Sequence, residues 1–299
     1  MESYKNQVAL LLKVLPEVAK EECFALHGGT AINLFVRNMP RLSVDIDLTY
    51  IPLEGRTESF EHINTALKNI EERIRKVDSS IKIVPQEAKL KLQIQDTKAL
   101  IKVEVNQGIR GLIGDIEKRE LCEKTEEQFD AFCLVPCVPL NQLYGGKICA
   151  ALDRQHPRDL FDVKYLLENE GFTEDIKTGF LFCLLSSKRP IIEMLYPSFL
   201  NQEQAYKNQF VGMTEDEFSY EDFESTRTAL IETIHNELTT TDKQFIVSFE
   251  NATPDWELYN FADFPAVKWK LQNLAKLKSS NPDKHNEGIE KLKLKLDIK

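Results

Sequence analysis

The most constraining feature of the sequence is the stretch SVDIDLTYI at residues 43–51, in which apolar and polar side chains alternate. This alternation predicts a β-strand, because successive side chains of a strand point to opposite faces of the sheet. Asp45 and Asp47 then share one face, roughly 6.6 Å apart along the backbone. Two neighbouring carboxylates are costly to bury unless a cation lies between them, and Mg²⁺ prefers oxygen ligands. The pattern indicates a candidate metal site; an acidic strand on a solvated sheet edge is the alternative.

A glycine pair, in HGGT at residues 27–30, precedes this strand and begins a predicted helix. Gly28 and Gly29 lack side chains, so their backbone N–H groups can approach a phosphate closely, and a helix N-terminus favours anions. We expect Thr30 to be the N-cap and to add its hydroxyl. The glycine turn, the helix and the Asp-x-Asp strand together indicate a site for a metal-bound nucleoside triphosphate. An ordinary turn is the alternative for the glycines. His27, beside them, is a candidate base, but a packing or hydrogen-bonding role is favoured.

A third carboxylate is expected on a neighbouring strand. Residues 99–106, ALIKVEVN, alternate in the same way, and Glu104 falls on their polar face. Three carboxylates around two divalent cations suit in-line nucleotidyl transfer, in which one metal activates the attacking hydroxyl and the other steadies the triphosphate. For Glu104 alone, an exposed surface position is the alternative.

A cluster of charged side chains follows on two predicted helices, 141–153 and 159–169, which Pro157 separates. The basic members of the cluster are suited to hold a triphosphate, and the acidic members to orient them or to take up a proton. A structural network of ion pairs is the alternative for the same residues. The cluster consists of Lys147, Arg154, Arg158, Asp159 and Asp162.

The periodicity of the chain changes near residue 140. The first part mixes helices with short strands, of which 88–95 and 99–106 are expected to form a hairpin. The second part is mainly helical, and 243–249 is predicted as a further strand. The pattern indicates an α+β protein with two domains, 1–140 and 141–299.

The net charge of −10 over 299 residues argues against general coating of nucleic acid. Residues 264–299 are an exception, because they contain nine lysines and four carboxylates. With Trp269 among the lysines, this basic tail allows a selective polyanion partner such as RNA. A solvated helix face with Trp269 in the core is the alternative. The lysines in question are Lys268, Lys270, Lys276 and Lys278.

The remaining composition points to a cytoplasmic protein without a membrane partner. No apolar run approaches the roughly 18 residues of a membrane span, and the N-terminus lacks the pattern of a signal peptide. The six cysteines include no C-x-x-C pair, which is typical of reduced thiols and not of a zinc site.

Four segments of the chain resemble a known family. HGGTAINLF…RLSVDIDL, IKVEVNQGIRG, LYGGKICAALDRQHPRDLFDVKYLL and FPAVKWKLQNLAKL are similar to the motifs of the AbiEii toxin family, which belongs to the DNA-polymerase-β-like nucleotidyltransferases. The resemblance implies a nucleotidyltransferase domain with a mixed, largely antiparallel sheet. It also implies a C-terminal helical domain that closes the active-site cleft.

The resemblance further implies Mg²⁺-dependent transfer of NMP from an NTP, with Mn²⁺ as an alternative ion. The expected acceptor is RNA, at the 3′ end of tRNA. The activity would be that of a toxin in a type IV toxin–antitoxin or phage-abortive system with a separate antitoxin. Transfer to a protein or a small molecule and a non-catalytic nucleotide-binding switch remain as alternatives.

Roles for individual residues follow from the motif match. Asp45 and Asp47 become metal ligands, and Glu104 takes the place of the third acid, where many relatives have Asp. These three acids, together with Lys147 and Asp159, are the expected catalytic residues. Nucleotide binding is expected of Gly28, Gly29, Thr30, Ser43, Lys147, Arg154, Arg158 and Asp162.

Overall fold

The computed structural model describes residues 2–298, and these residues form a seven-stranded mixed sheet together with a set of helices. Four of the six strand pairs are antiparallel, so the expected α+β fold with a mixed, largely antiparallel sheet is confirmed. The strands are β1 Phe24–His27, β2 Asp45–Tyr50, β3 Lys82–Gln86, β4 Lys91–Gln95, β5 Leu100–Arg110, β6 Glu117–Glu120 and β7 Leu134–Cys137, in the spatial order β3-β4-β5-β2-β1-β7-β6.

The helices occupy most of the chain after residue 140, as the periodicity predicts. A short π-helical segment, Ile32–Val36, continues the second helix. Among the described residues, no helix is both long and apolar enough to cross a membrane. The helices are α1 Glu2–Val18, α2 Gly28–Ala31, α3 Arg56–Val77, α4 Glu123–Phe129, α5 Leu140–Arg154, α6 Pro157–Asn169, α7 Glu174–Ser186, α8 Ile191–Leu195, α9 Glu203–Gln209, α10 Tyr220–Glu237, α11 Thr240–Glu250, α12 Pro265–Ser280 and α13 Pro282–Leu296.

The two faces of the central strands differ in polarity. Ile46 and Leu48 of β2 and Val103 of β5 are buried, and both strands contact α1. The alternate residues of these strands are the polar ones, and they face the other side of the sheet. The alternation of the sequence thus separates a core face from a candidate functional face. The hairpin of β4 and β5 is also as predicted.

A continuous hydrophobic cluster contains buried residues from both sides of residue 140. The sheet and the helices that follow it are packed on each other through this cluster, and α5 begins at Leu140. The division of the chain into domains 1–140 and 141–299 stays a prediction.

The strand predicted at 243–249 is wrong, because this segment lies within α11. Its β-branched and aromatic residues favour a strand, but a capping box fixes the helix start. The amide of Asp242 donates to Thr239 Oγ1 over 3.2 Å, and the amide of Thr239 donates to Asp242 Oδ2 over 2.8 Å. Phe245 and Phe249, four residues apart, are then both fully buried.

Two short elements, β6 and α4, have no apolar periodicity in the sequence that would predict them. Strand β6 consists of the charged residues Glu117–Glu120 and lies at the edge of the sheet. A charged edge strand resists pairing with other chains. Strand β6 pairs with β7 through backbone hydrogen bonds, and the pattern of side chains in the sequence does not predict such bonds.

The basic tail forms α12 and α13, and its lysines differ in environment. Lys270 is buried, and its Nζ donates to the carbonyls of Leu184 over 3.2 Å and Arg189 over 2.9 Å. Lys278 donates to the backbone at the end of α11. Each prediction for the tail is therefore wrong in one part, since Lys270 is unable to reach RNA and Trp269, which is 50% exposed, lies outside the core. Contact of the other tail lysines with RNA stays a prediction.

Helices α5 and α7 cross so closely that the contact requires glycine. A Cβ at Gly179 would lie 1.8 Å from the carbonyl oxygen of Asn141, a backbone atom that cannot move aside. We expect Gly179→Ala to lower the free energy of unfolding by about 3 kcal/mol, because overpacking forces the helices apart. Urea denaturation measures this change.

Gly146→Ala is the matched control in α5, because its Cβ would meet only Cys183 Sγ, at 4.0 Å. Alanine favours a helix over glycine by about 1 kcal/mol, so this variant should be neutral or slightly more stable. A similar loss of stability in both variants would contradict the close crossing.

Candidate active site

The candidate acids lie in the middle of the sheet. Strand β2 lies between antiparallel β1 and parallel β5, so Asp47 is paired with His27 on one side and Glu104 on the other. Asp45 is paired with Lys102. Because side chains at paired positions share a face, the sheet register places the three candidate acids on one polar surface.

Two glycines allow this surface to lie directly against the turn after β1. Gly28 has a φ of +74°, and a Cβ there would lie 2.5 Å from Asp47 Oδ2. A Cβ at Gly29 would lie 2.7 Å from Arg41 Nη2 and 2.9 Å from Ser43 Oγ. A side chain at Gly28 would therefore displace the carboxylate of Asp47. A side chain at Gly29 would displace the guanidinium of Arg41 or the hydroxyl of Ser43.

Thr30 is not the N-cap that we expected, because it lies inside α2 and His27 occupies the N-cap position. Its hydroxyl is buried, donates to the carbonyl of Asp45 over 2.5 Å and accepts from the hydroxyl of Ser43 over 3.1 Å. The reason is that the helix begins at Gly28, three residues earlier than a cap at Thr30 requires. Thr30 and Ser43 thus fasten the helix to the beginning of β2.

The charged cluster on α5 and α6 is a buried network of ion pairs. Lys147 Nζ lies 2.9 Å from Asp159 Oδ1 and 2.9 Å from Asp162 Oδ2. Arg41 donates to both oxygens of Asp162, over 2.7 and 2.6 Å, and Arg154 donates to both oxygens of Asp159, over 2.9 and 2.6 Å. Burial alone would raise the pKa of both carboxyls, but these cations outweigh it and hold each pKa below its usual range.

Two residues of this network were not predicted from the sequence. Arg41 precedes β2 and reaches across to Asp162, and Asn33 donates to the carbonyl of Gly29 over 2.9 Å and to Asp162 Oδ1 over 3.0 Å. Asn33 lies four residues after Gly29, and on a helix this spacing brings its side chain near the Gly29 carbonyl. That spacing is the only signal in the sequence that could have identified it.

A cleft of about 380 Å³ lies between the polar face of the sheet and α5. Its lining joins the glycine turn and Asp47 to Lys147 and Arg154. Asp159 and Asp162 lie behind Lys147 and are not part of the lining in the described structure. The structure therefore brings together Asp47, the basic side chains of Lys147 and Arg154, and the glycine turn around one cavity.

Asp45 and Asp47 form no ion pair with another described residue, and nearby cations offset only part of the effect of burial on their pKa values. Burial, and after it the charge of Asp47, raises the pKa of Asp45. Burial also raises the pKa of Asp47, and the charge of Lys147 offsets only part of this effect. Two partly buried carboxylates with raised pKa values and a glycine turn against one of them fit a divalent cation, which would remove their repulsion.

His27 stays uncharged at neutral pH. Burial and the charge of Lys147 lower the pKa of its imidazole to about 4. Its Nδ1 is hydrogen-bonded to Thr49 Oγ1 over 3.0 Å. This contact agrees with the hydrogen-bonding role that the sequence suggested.

Glu104 and Arg158 stand apart from the cleft. Glu104 forms an ion pair with Lys91, and its side chain is 41% exposed. Within residues 2–298, no three His, Cys, Asp or Glu side chains are grouped as ligands of one metal ion. Arg158 forms no ion pair with another described residue, and its charge reaches Asp45. Burial, and after it the charge of Arg41, lowers the pKa of Arg158.

Comparison with known proteins agrees with this arrangement. The model of the AbiEii family, nucleotidyltransferase toxins of type IV toxin–antitoxin systems, matches residues 9–273. Comparison with curated proteins gives no match. Among solved structures, the nucleotidyltransferase toxin MenT4 from Mycobacterium tuberculosis H37Rv shares the fold, with a TM-score of 0.61 at 13% identity over 91% of this chain and 93% of that chain. The resemblance seen in the sequence is confirmed, and the chain belongs to the AbiEii family of nucleotidyltransferase toxins.

Proposed function

We propose that the protein transfers NMP from a Mg²⁺-bound NTP to the 3′ hydroxyl of an RNA, with tRNA as the acceptor. The observation that supports this most directly is a cleft lined by Asp47, the glycine turn and Lys147, while Asp45, two residues away on β2, also has a raised pKa. A site with this charge distribution is suited to a cation and a polyphosphate together.

Asp45 and Asp47 are the proposed metal ligands, with Mn²⁺ able to replace Mg²⁺ because both accept carboxylate oxygens. When bound, the ion supplies charge that stabilises the triphosphate and the leaving pyrophosphate. Glu104 is the proposed third acid. In that role it has to give up its ion pair with Lys91, which is a half-exposed contact and therefore weak.

The triphosphate is proposed to lie between the glycine turn and the basic side chains. Gly28 and Gly29 offer backbone N–H groups without side chains in the way, while Lys147 and Arg154 line the opposite wall. Arg158 extends this positive surface towards Asp45.

Asp159, Asp162, Thr30 and Ser43 are proposed to act by positioning and not by touching the nucleotide. Asp159 and Asp162 hold Lys147 from behind, with their side chains at most 1% exposed. Thr30 and Ser43 hold the helix against β2. Their removal should move the groups that line the cleft, since a misplacement of about 1 Å is enough to reduce catalysis.

The biological role that we propose is growth arrest by modification of cytoplasmic tRNA, opposed by a separate antitoxin and used in phage defence. A protein or small-molecule acceptor and a non-catalytic nucleotide switch are the alternatives. A radioactive NTP distinguishes these alternatives from the proposal. The label would appear in a protein or a small molecule in the first case, and in no acceptor in the second.

The first prediction concerns the acid pair. With Mg²⁺, total cellular RNA and each of four α-³²P-labelled NTPs, the wild-type protein should label a tRNA-sized band. Asp45→Asn and Asp47→Asn should each reduce labelling by about 1,000-fold, or ~4 kcal/mol in the barrier, because neutral amides hold a divalent cation poorly. Phosphorimaging of RNA gels measures the rates.

Asp175→Asn is the matched control, since Asp175 is an exposed acid on α7. It should label RNA at the wild-type rate. Full activity of Asp45→Asn would refute the assignment of the metal ligands. Pyrophosphate release without labelled RNA would point to another acceptor, and nucleotide binding without pyrophosphate release would point to a switch.

The second prediction concerns stability. Burial raises the pKa of Asp47 in the folded protein above the ordinary value of 3.8, so folding disfavours its charged form. The resulting loss of stability is present above the folded pKa and disappears as the pH falls towards and below 3.8. In metal-free buffer, Asp47→Asn should therefore have a higher Tm than the wild type at pH 7.5, and a smaller advantage at pH 5.

Differential scanning fluorimetry at the two pH values measures this difference, with Asp175→Asn again as the control. A Tm of Asp47→Asn equal to or below that of the wild type at pH 7.5 would show that the carboxylate is not a source of strain. Loss of transfer together with a gain in Tm is the expected signature of a residue retained for function.

A further inference from the structure

A second cavity, of about 300 Å³, adjoins the cleft. The two cavities are lined by neighbouring residues of the same segments. At the end of β5, Asn106 and Ile109 line the cleft, while Gln107 and Arg110 line the second cavity. After α7, Ser187 lines the cleft, and the residues on either side of it line the second cavity. We call this second cavity the basic groove.

The basic groove is positively charged, although the whole chain has a net charge of −10. Its lining includes four cationic side chains and no carboxylate. Arg56 and Lys188 are exposed and form no ion pair with another residue of the described chain. Lys268 has one exposed partner, Asp263, at 3.1 Å. The fourth cation, Arg110, is the most informative.

Arg110 is only 7% exposed and has no carboxylate partner among the described residues. Its Nη1 donates to Ser59 Oγ over 2.5 Å, and its buried Nε has no hydrogen-bond partner. Glu54, whose charge reaches Arg110, accepts instead from the hydroxyl of Tyr50 over 2.8 Å. A buried guanidinium without a paired anion is costly, so this arrangement indicates that an anion arrives from outside the chain.

Ser186 adds a second unsatisfied group in the same place. Its side chain is buried, lines the basic groove, and has a hydroxyl without a hydrogen-bond partner. A free hydroxyl and a guanidinium Nε are both donors, and a phosphate oxygen accepts from both.

Trp269 supplies an aromatic surface at the rim. It is 50% exposed, lines the basic groove, and belongs to the same helix as Lys268. A half-exposed indole beside several cations is the combination on which single-stranded nucleic acids bind, with a base stacked on the ring and phosphates on the cations.

We propose that the basic groove binds the sugar–phosphate backbone of the acceptor RNA strand, with one base stacked on Trp269, and leads the 3′ end into the adjoining cleft. Arg110 and Ser186 hold one phosphate, while Arg56 and Lys188 hold its neighbours. The inference rests on the proposed RNA acceptor and adds where that RNA lies.

The test measures RNA binding separately from catalysis. A fluorescein-labelled single-stranded oligoribonucleotide is titrated with protein at 50 and 200 mM NaCl, and its anisotropy gives Kd. The double variant Arg56→Glu/Lys188→Glu should weaken binding at least 10-fold. It should also lower the salt slope by about 1.4, because each lost phosphate contact removes about 0.7 for a single strand.

The matched control is Lys68→Glu/Lys76→Glu, which changes the net charge equally at two exposed positions of α3 outside the basic groove. It should change Kd by less than about 2-fold. In a second arm, Trp269→Ala should weaken binding about 10-fold, while Trp269→Phe, which retains a stacking ring, should stay within about 3-fold of the wild type.

The proposal is overturned if Arg56→Glu/Lys188→Glu binds the oligoribonucleotide as the wild type does, or if the control double variant loses as much. Weaker binding of NTP with unchanged binding of RNA also overturns it, because the groove would then serve the nucleotide. If the wild type labels RNA while the groove variants retain its Kd, the proposed function stands and the groove fails. If the wild type labels no RNA but binds it through these residues, the groove stands and the proposed function fails.

Discussion

The candidate site depends on one buried carboxylate, Asp162, to which four parts of the chain are tied. Its oxygens accept from Arg41 before β2, from Asn33 in the π-helical segment and from Lys147 on α5, while Asp162 itself lies on α6. Asn33 Oδ1 has no hydrogen-bond partner, but the charged members are paired with one another, and removing one would leave its partner's charge buried in a medium of low dielectric constant. The glycine turn and Lys147 therefore keep a fixed separation, which a site for a polyphosphate requires.

Two pairs of buried aspartates around the cleft have opposite pKa shifts, and the cause is the presence or absence of cations. Asp159 and Asp162 are paired with Lys147, Arg154 and Arg41, so burial does not prevent their ionisation. For Asp45 and Asp47, burial and neighbouring carboxylates raise the pKa more than the nearby cations lower it, so their charged forms are disfavoured. The first pair stabilises the folded chain. The second pair lowers its stability, and groups kept in that state are characteristic of functional sites.

The residues that the sequence predicted well are those whose role follows from local periodicity. The alternation around Asp45 and Asp47 required only a strand, and the glycine pair required only a turn beside it. The contact of Arg41 could not be predicted, because its partner lies about 120 residues away. The ion pair of Glu104 with Lys91 lies within the predicted hairpin, but it depends on the exact register of β4 and β5. Thr30 was placed wrongly because the helix begins at Gly28, where the glycine itself adopts a positive φ. The predicted strand at 243–249 failed because propensity was weighed without its capping box.

The net charge of the chain has a consequence for any RNA that reaches the cleft. An acidic protein repels a polyanion at long range, but charges are screened beyond roughly 8 Å at physiological salt, so only local groups decide binding. Surface lysines hold phosphates loosely because their side chains lose entropy on binding, whereas Arg110 is already fixed by Ser59 and by burial. A preorganised cation at the end of β5 can define which phosphate lies there. Because residues of β5 also line the cleft, the position of that phosphate in the proposed complex would set how far the RNA strand extends towards Asp47.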